Sequence, residues 1–372
     1  MQNLGRLLSG VVLSGLLVSA AAAEEETQRV VDRLLTSPQV RTEAGFTAKV
    51  LVPPGQLYDP LFMLPRADAV WLNDDGGEEK DKGSRLLAID QAGKISVVAG
   101  LGKLLPTVGF DLAPATFGEF GGQIFTLTQA KVAMEGATAN HMIHRLDPKQ
   151  DFAATAVCTL PEAGAAKIAG FGADARFGPE GSPFAGKFFA VTALNNAIYQ
   201  VTADGKCTPF IVFDGEQYSA PFVIAFAPDG KTMLVSVSRG RFDIAGTAEP
   251  SGAVVRVSPE GKIVGEVASQ GLGRPMGLDF APEGFGAYGG QLFVSDVGRF
   301  QVPVPMTQSL LADGKVYRIT PEGKAVLVAS GMMNPAGVRF VGNTLWVTDV
   351  NGDFIAGKRE LPDGFIVTIQ AQ

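Results

Sequence analysis

Side chains able to do chemistry are few in this chain of 372 residues, and they are scattered. Two histidines occur, His141 and His144, in the run NHMIHR. On a strand that spacing points them to opposite faces, so a shared metal ion is not expected unless His141 still stands in the preceding loop. His141 is left as the one candidate general base. Aspartates close three phrases of similar form, LND at Asp74, VSD at Asp296 and VTD at Asp349. A carboxylate recurring at one place in a repeat reads first as an Asx turn opening the next loop. Asp296 and Asp349 are kept as ligand-binding candidates because they lie towards the loop-bearing face. Asp349, Asn351 and Asp353 are too sparse for an EF-type calcium loop, since Glu360 falls at the twelfth place but no glycine falls at the sixth. The chain contains no Ser-His-Asp order, nucleophile elbow or phosphate loop.

A repeated unit carries these residues. GFDLAPATFGEFGGQIFTLT (109–128) and GLDFAPEGFGAYGGQLFVSD (277–296) are nearly the same phrase, and GFGADARFGPEGSPFAGKFFAVT (170–192) is a third copy. Shorter copies are VIAFAPDGKTMLVSVS (223–238), GVRFVGNTLWVTDV (337–350) and the divergent PLFMLPRADAVWLND (60–74). Each reads as a strand, a Pro/Gly turn and a second strand. Five of them are followed by a β-hairpin with a tight turn, as in KVYRITPEGKAVLVAS (315–330). The sixth is followed only by FIVTIQ (365–370), and FTAKVLV (46–52) at the other end of the chain supplies the missing outer strand. The expected fold is therefore all-β. It is a single six-bladed β-propeller over residues 46–372, closed by the N-terminal strand so that no free edge remains. Residues 24–45 precede it as a helical lead, with Val30, Val31, Leu34 and Leu35 on one side.

RPMGLDFAPEG…LFVSD, KVYRITPEGK and NPAGVRF…LWVTDVNG resemble the six-bladed superfamily of gluconolactonases, strictosidine-synthase-like, NHL-repeat and sorbosone-dehydrogenase-like proteins. The resemblance covers nearly all of residues 46–372 and implies the propeller fold; the superfamily hosts several unrelated functions. In gluconolactonase-like members a divalent metal at the channel mouth is held by a Glu of the first blade, an Asn and an Asp. Here Phe222 stands in the place of that Asn and Met276 in the place of that Asp, with Ala336 at the matching place in the sixth repeat. Hard cations need oxygen ligands, so no metal site and no cofactor is predicted. A quinone-dependent dehydrogenase of this superfamily would need a channel histidine, and only His141 is on offer. Extending the alignment rings the mouth with Asp59, Val108, Ala169, Phe222, Met276 and Ala336, one carboxylate and five apolar groups. This ring suits an apolar or amphipathic small molecule, with Asp59 and His141 as catalytic candidates if there is catalysis. The alternatives are a gluconolactonase-like metal-dependent hydrolase and a non-catalytic protein-interaction module. Two positions further along come Asp111, Asp279 and Arg339. Asp279 and Arg339 are on neighbouring blades and are expected to pair, either to hold the blades or to fix a ligand's head group.

Composition narrows the setting. The net charge of −7, without basic clusters, argues against nucleic acid and anionic lipid as partners. Arg6, the apolar run 7–18 and the small residues 19–23 before three glutamates read as a signal peptide over residues 1–23. The apolar run is shorter than the roughly 20 residues of a membrane span, so the mature protein is expected to be periplasmic or secreted with no span. That compartment would permit a disulfide between Cys158 and Cys207. Their positions near opposite ends of outer strands in different repeats favour free thiols instead. The loops 74–84, 129–141, 239–251, 297–313 and 350–364 lie on one face. Loop 297–313 is apolar, with Phe300, Val302, Met306 and Leu310, and is a candidate to cover the mouth or dock a protein partner.

Overall fold

The structure is a computed structural model that describes residues 35–36, 38–75, 84–101, 107–128, 141–163, 172–193, 195–241, 251–268, 270–298, 314–350 and 362–372. The expected signal peptide, the helical part of the lead and the partner-docking part of loop 297–313 lie outside the described residues. Among the described residues no helix is long and apolar enough to cross a membrane.

Six antiparallel sheets make six blades. From inner to outer strand, blade 1 is Pro60–Pro65, Val70–Asp75, Ser84–Ile89 and Ile95–Gly100. Blade 2 is Thr107–Leu112, Ile124–Thr128, Met142–Asp147 and Ala153–Thr159, and blade 3 is Gly172–Phe177, Lys187–Thr192, Ala197–Thr202 and Cys207–Val212. Blade 4 has a shortened inner strand, Ile224–Phe226, then Met233–Arg239, Gly252–Val257 and Ile263–Ala268. Blade 5 is Pro275–Phe280, Leu292–Asp296, Gly314–Ile319 and Ala325–Met332. Blade 6 runs Pro335–Val341, Thr344–Asp349 and Gly364–Ala371, and its outer strand is Phe46–Leu57 from the other end of the chain. Where the lead was expected to be helical, Arg41–Thr42 are extended and pair with Ala329–Ser330 as a fifth strand on blade 5. An outer edge with unpaired amides competes well for a short segment that has little apolar face of its own to bury.

The core is divided among the seams between blades. Phe117, Phe125, Phe177 and Phe188 interleave between blades 2 and 3, with ring centroids 4.8–5.5 Å apart. Phe285, Phe293, Phe340 and Phe46 do the same between blades 5 and 6. The FG-x-[FY]-GGQ phrase supplies two of these wedges. In each copy the first Phe is buried and a short 3-10 turn follows, Gly118–Phe120 or Gly286–Tyr288. Gly118 and Gly286 sit at φ +55° and +56°, which only glycine adopts without strain. The closing Gln123 and Gln291 accept from Arg145 and Arg318 at 2.8 and 3.0 Å, and those guanidiniums lie over the rings of Phe120 and Tyr288. The most repetitive phrase of the chain is therefore packing.

Cys158 and Cys207 are bonded to each other, with Cα atoms 6.3 Å apart, which corrects the expectation of free thiols. Strand twist explains it. Three steps of roughly 20–25° swing a blade's outer strand well off the direction of its inner one. The late part of blade 2's outer strand thus crosses the start of blade 3's, where a Cβ on Gly205 would meet the Val157 side chain at 3.7 Å. The bond closes a loop of 49 residues. Replacing both cysteines by serine is expected to cost about 2–4 kcal/mol in urea unfolding. Two titratable thiols in the denatured, unreduced protein would show the bond to be absent.

Candidate functional site

The inner strands surround the central channel, so each has a hydrogen-bonded neighbour on one side only. Five of them also bulge near the start, at Pro60/Met63, Thr107/Phe110, Gly172/Ala175, Pro275/Leu278 and Pro335/Val338. A bulge removes backbone groups from the ladder, and side chains of the second strand replace them. The Ser295 hydroxyl accepts from Gly277 N–H at 2.7 Å and donates to the Ala336 carbonyl of blade 6 at 3.3 Å. Thr348 accepts from Gly337 and donates to the Leu61 carbonyl of blade 1, both at 2.8 Å. Ser236 links Val223 to the Met276 carbonyl in the same way. Ser295 and Thr348 thus tie their own bulges to the next blade, and Ser236 ties the segment entering the shortened inner strand of blade 4.

The aspartates that close the second strands have a related task. Asp296 accepts from Gly273 N–H at 2.6 Å, Arg274 N–H at 3.0 Å and Gly298 N–H at 2.6 Å. Asp349 accepts from Met333 and Asn334 N–H, and Asp74 accepts from Tyr58 and Asp59 N–H while pairing with Arg85. All three are buried. Burial pushes the carboxyls of Asp74 and Asp296 above the usual range, against the pull of these bonds. The expected Asx turn into the following loop is present at Asp296, through Gly298. The larger role of all three residues is to clamp the segment that leads into their own blade. Asp296 and Asp349, ligand-binding candidates in the sequence, are buried here and hold backbone amides as clamps.

Strand register also corrects the mouth of the channel. Pro60, Thr107, Gly172, Pro275 and Pro335 pair with equivalent second-strand residues, Asp74, Thr128, Thr192, Asp296 and Asp349. The next residues are then Leu61, Val108, Ala173, Met276 and Ala336, with Phe222 after Pro221 in blade 4. Leu61 replaces Asp59, which lies two residues earlier with its N–H on Asp74, and Ala173 replaces Ala169. All six positions are apolar; Leu61, Val108, Phe222 and Met276 belong to one cluster, while Ala173 packs into the seam between blades 3 and 4. Leu61 and Met276 are half-buried, while the other four are buried.

Beyond the ring lies a charged cluster. Asp279 does not pair with Arg339 as expected. Its carboxylate accepts from Phe280 N–H at 3.0 Å and from Phe340 N–H of the next blade at 2.7 Å. Asp111 repeats this arrangement with Leu112 and Phe177, both of its bonds being 2.8–2.9 Å long. Arg339 instead reaches the carbonyls of Met63, Leu278 and Val338, and its Nη2 lies 3.8 Å from Asp174 Oδ1. Arg176 bonds Asp174 Oδ2 at 2.7 Å and the Leu278 carbonyl across the channel at 3.3 Å. Burial lowers the pKa of Arg339 from its usual value and raises that of Asp111. Sequence reading passed over Asp174 and Arg176. Their signal is the alternation in GADARF once the phrase is aligned on Gly172.

His141 stands just before the third strand of blade 2, two strands out from the channel, and is fully buried. Neither ring nitrogen has a hydrogen-bond partner among the described residues. Burial holds its pKa down at about 4; the Thr128 backbone is close enough to oppose the shift without reaching hydrogen-bond geometry. His141 thus stands outside the ring positions, and Asp59 lies ahead of the inner strand of blade 1 with its N–H on Asp74.

No protein-family model matches the chain, and no curated protein sequence is similar to it. Solved structures do share its architecture. A glucose dehydrogenase aligns at 15% identity over 88% of this chain and 100% of its own, with a TM-score of 0.57. A gluconolactonase from Xanthomonas campestris aligns at 14% identity over 91% of this chain and 95% of its own, with a TM-score of 0.53. At such identities the likeness is one of fold alone: the chain is a six-bladed β-propeller. The residues at the metal-ligand places implied by the resemblance do not fit a divalent cation. Phe222, Met276 and Ala336 offer no side-chain oxygen there, and the carbonyls of Met276 and Ala336 are already bonded to Ser236 and Ser295.

Two variants test these assignments. Asp296→Ala leaves three amides without their acceptor and should lose at least roughly 3 kcal/mol in urea unfolding, while ligand or dye binding by the folded fraction is unchanged. His141 is held neutral with a depressed pKa, so its contribution to stability is full above pH 6.5 and is lost as pH falls towards 4. The unfolding free energy of wild type relative to His141→Phe should therefore fall by up to about 3 kcal/mol between pH 7 and pH 4. A constant difference would show that His141 titrates normally.

Proposed function

We propose that the chain is an extracytoplasmic binding propeller that takes an apolar or amphipathic small molecule at the mouth of its channel, without a resident divalent metal. The observation that carries this reading is the six-residue ring of Leu61, Val108, Ala173, Phe222, Met276 and Ala336. A ligand seated on Met276, Leu61 and Phe222 would gain from burying apolar surface. The charged cluster beyond them would favour a polar end directed into the channel. Support for the compartment comes from the Cys158–Cys207 bond, since such bonds persist in oxidising surroundings, and from the leader-like residues 1–23. The likeness of fold to a gluconolactonase supports a second reading, a metal-dependent hydrolase, but the ring lacks the donors that chemistry needs.

Titration with 1-anilinonaphthalene-8-sulfonate separates the two. Saturable binding is expected, with Met276→Asp and Phe222→Asp each weakening it by roughly tenfold or more. The unfolding midpoints of both variants serve as the check on folding. Elemental analysis of purified protein should find no stoichiometric calcium or zinc. A tightly held metal together with lactone hydrolysis would overturn the proposal in favour of the hydrolase.

A further inference from the structure

Each seam between blades has to be filled, and this chain fills equivalent seams differently. In blades 2 and 5 the loop joining inner and second strands folds back over the blade. It places the ring of Phe120 against Arg145, and the ring of Tyr288 against Arg318. Tyr288 also stacks on Phe46 of blade 6, with centroids 4.5 Å apart. Arg145 and Arg318 stand at the same place in their blades, opposite Phe125 and Phe293. In blade 6 that place is Thr368, opposite Trp346 on one side and Lys49 on the other. Blade 6 has no folding-back loop, because Val341 and Thr344 are joined by Gly342 and Asn343 alone.

Trp346 packs with Met63, Val70 and Leu72 in the depth of the seam towards blade 1, and the outer part of that seam stays open as a groove of about 520 Å³, a size within the range of small-molecule sites. Its floor includes the half-buried Leu51 and Val341, over the edge of Trp346, which is 3% exposed. Thr344, Thr368 and Gln370 come from the body of blade 6, and Gln91 comes from the outer hairpin of blade 1. Gln370 Nε2 already donates to Thr344 Oγ1 at 3.2 Å, and the Thr368 hydroxyl donates to the Lys49 carbonyl at 3.3 Å. These bonds orient the polar wall and leave the amide oxygen of Gln370 directed to other partners. Lys49 is the one charged residue among the described residues that line the groove.

We propose that this groove, separate from the channel, binds a hydroxyl-rich ligand with one negative charge, a sugar ring bearing a carboxylate. Vicinal hydroxyls match a wall of carboxamides and hydroxyls that both donate and accept. The less polar face of such a ring suits the floor that Leu51 and Val341 form. The carboxylate meets Lys49. The ligand ring takes the place that Phe120 and Tyr288 occupy in the other seams.

Saturation-transfer NMR on the whole protein tests this with sodium glucuronate, methyl glucoside and sodium acetate as probes. Glucuronate should give saturable transfer, the glucoside a weaker signal and acetate none. Thr368→Trp, which fills the groove, should abolish the glucuronate signal, and Lys49→Met should weaken binding by about tenfold. Met276→Asp in the channel ring should leave it unchanged, so this outcome is independent of the proposal for the channel. If Thr368→Trp does not fold, Gln370→Trp serves as the filling variant. No transfer to glucuronate in the wild type, or transfer that survives filling or is lost in Met276→Asp, would overturn the proposal. Acetate matching glucuronate would overturn the saccharide class.

Discussion

A propeller's inner strand is an edge that cannot be left bare. It faces the channel, its far side has no strand to pair with, and in five blades it bulges as well. Unpaired backbone groups in that position would each cost as much as a lost buried hydrogen bond. The structure meets this constraint with side chains from the second strands. Ser236, Ser295 and Thr348 tie the starts of their blades to the next blade, and Asp74, Asp296 and Asp349 hold the segments entering their own blades. Glycines complete the fit: a Cβ on Gly337 would lie 2.2 Å from the Leu61 carbonyl of the next blade.

This requirement explains why polar residues that look functional in the sequence are already in use. Asp111 and Asp279 lock onto the backbone of the following blade in identical fashion, and Arg176 and Arg339 follow them one blade later. Blades 2 and 3 therefore echo blades 5 and 6. The same echo appears in the two FG-x-[FY]-GGQ loops with their arginines. Asp174 departs from the pattern. It occupies the place that glycine holds in blades 2, 5 and 6, beside a blade 4 whose inner strand is shortened to Ile224–Phe226, and its carboxylate joins the channel cluster.

Seam filling is the second theme. Phenylalanines wedge the seams between blades 2 and 3 and between blades 5 and 6. The disulfide adds a covalent tie where the outer strand of blade 2 crosses the start of blade 3's. Between blades 6 and 1 Trp346 fills the depth of the seam, and the outer ring is missing because a two-residue turn cannot carry one. The short turn thus leaves a groove along the outer part of that seam.

Local periodicity and repetition were enough to read six blades, their four-strand units and the placement of FTAKVLV as a strand. Those features depend on neighbours in the chain and on turn residues. The absence of metal donors at Phe222, Met276 and Ala336 was also legible, because those residues sit within well-marked phrases. Register at the divergent copies was not. Asp59 and Leu61 differ by two residues, so alternation along the strand cannot tell them apart, and only pairing of Pro60 with Asp74 decides. The bonding of Cys158 to Cys207 rests on accumulated strand twist, which has no signature in the sequence. Tertiary structure likewise decided that Arg339 faces Asp174 from another blade, and that a short turn leaves a groove beside Trp346. These are distances between segments far apart in the chain, set by how blades pack around a closed ring.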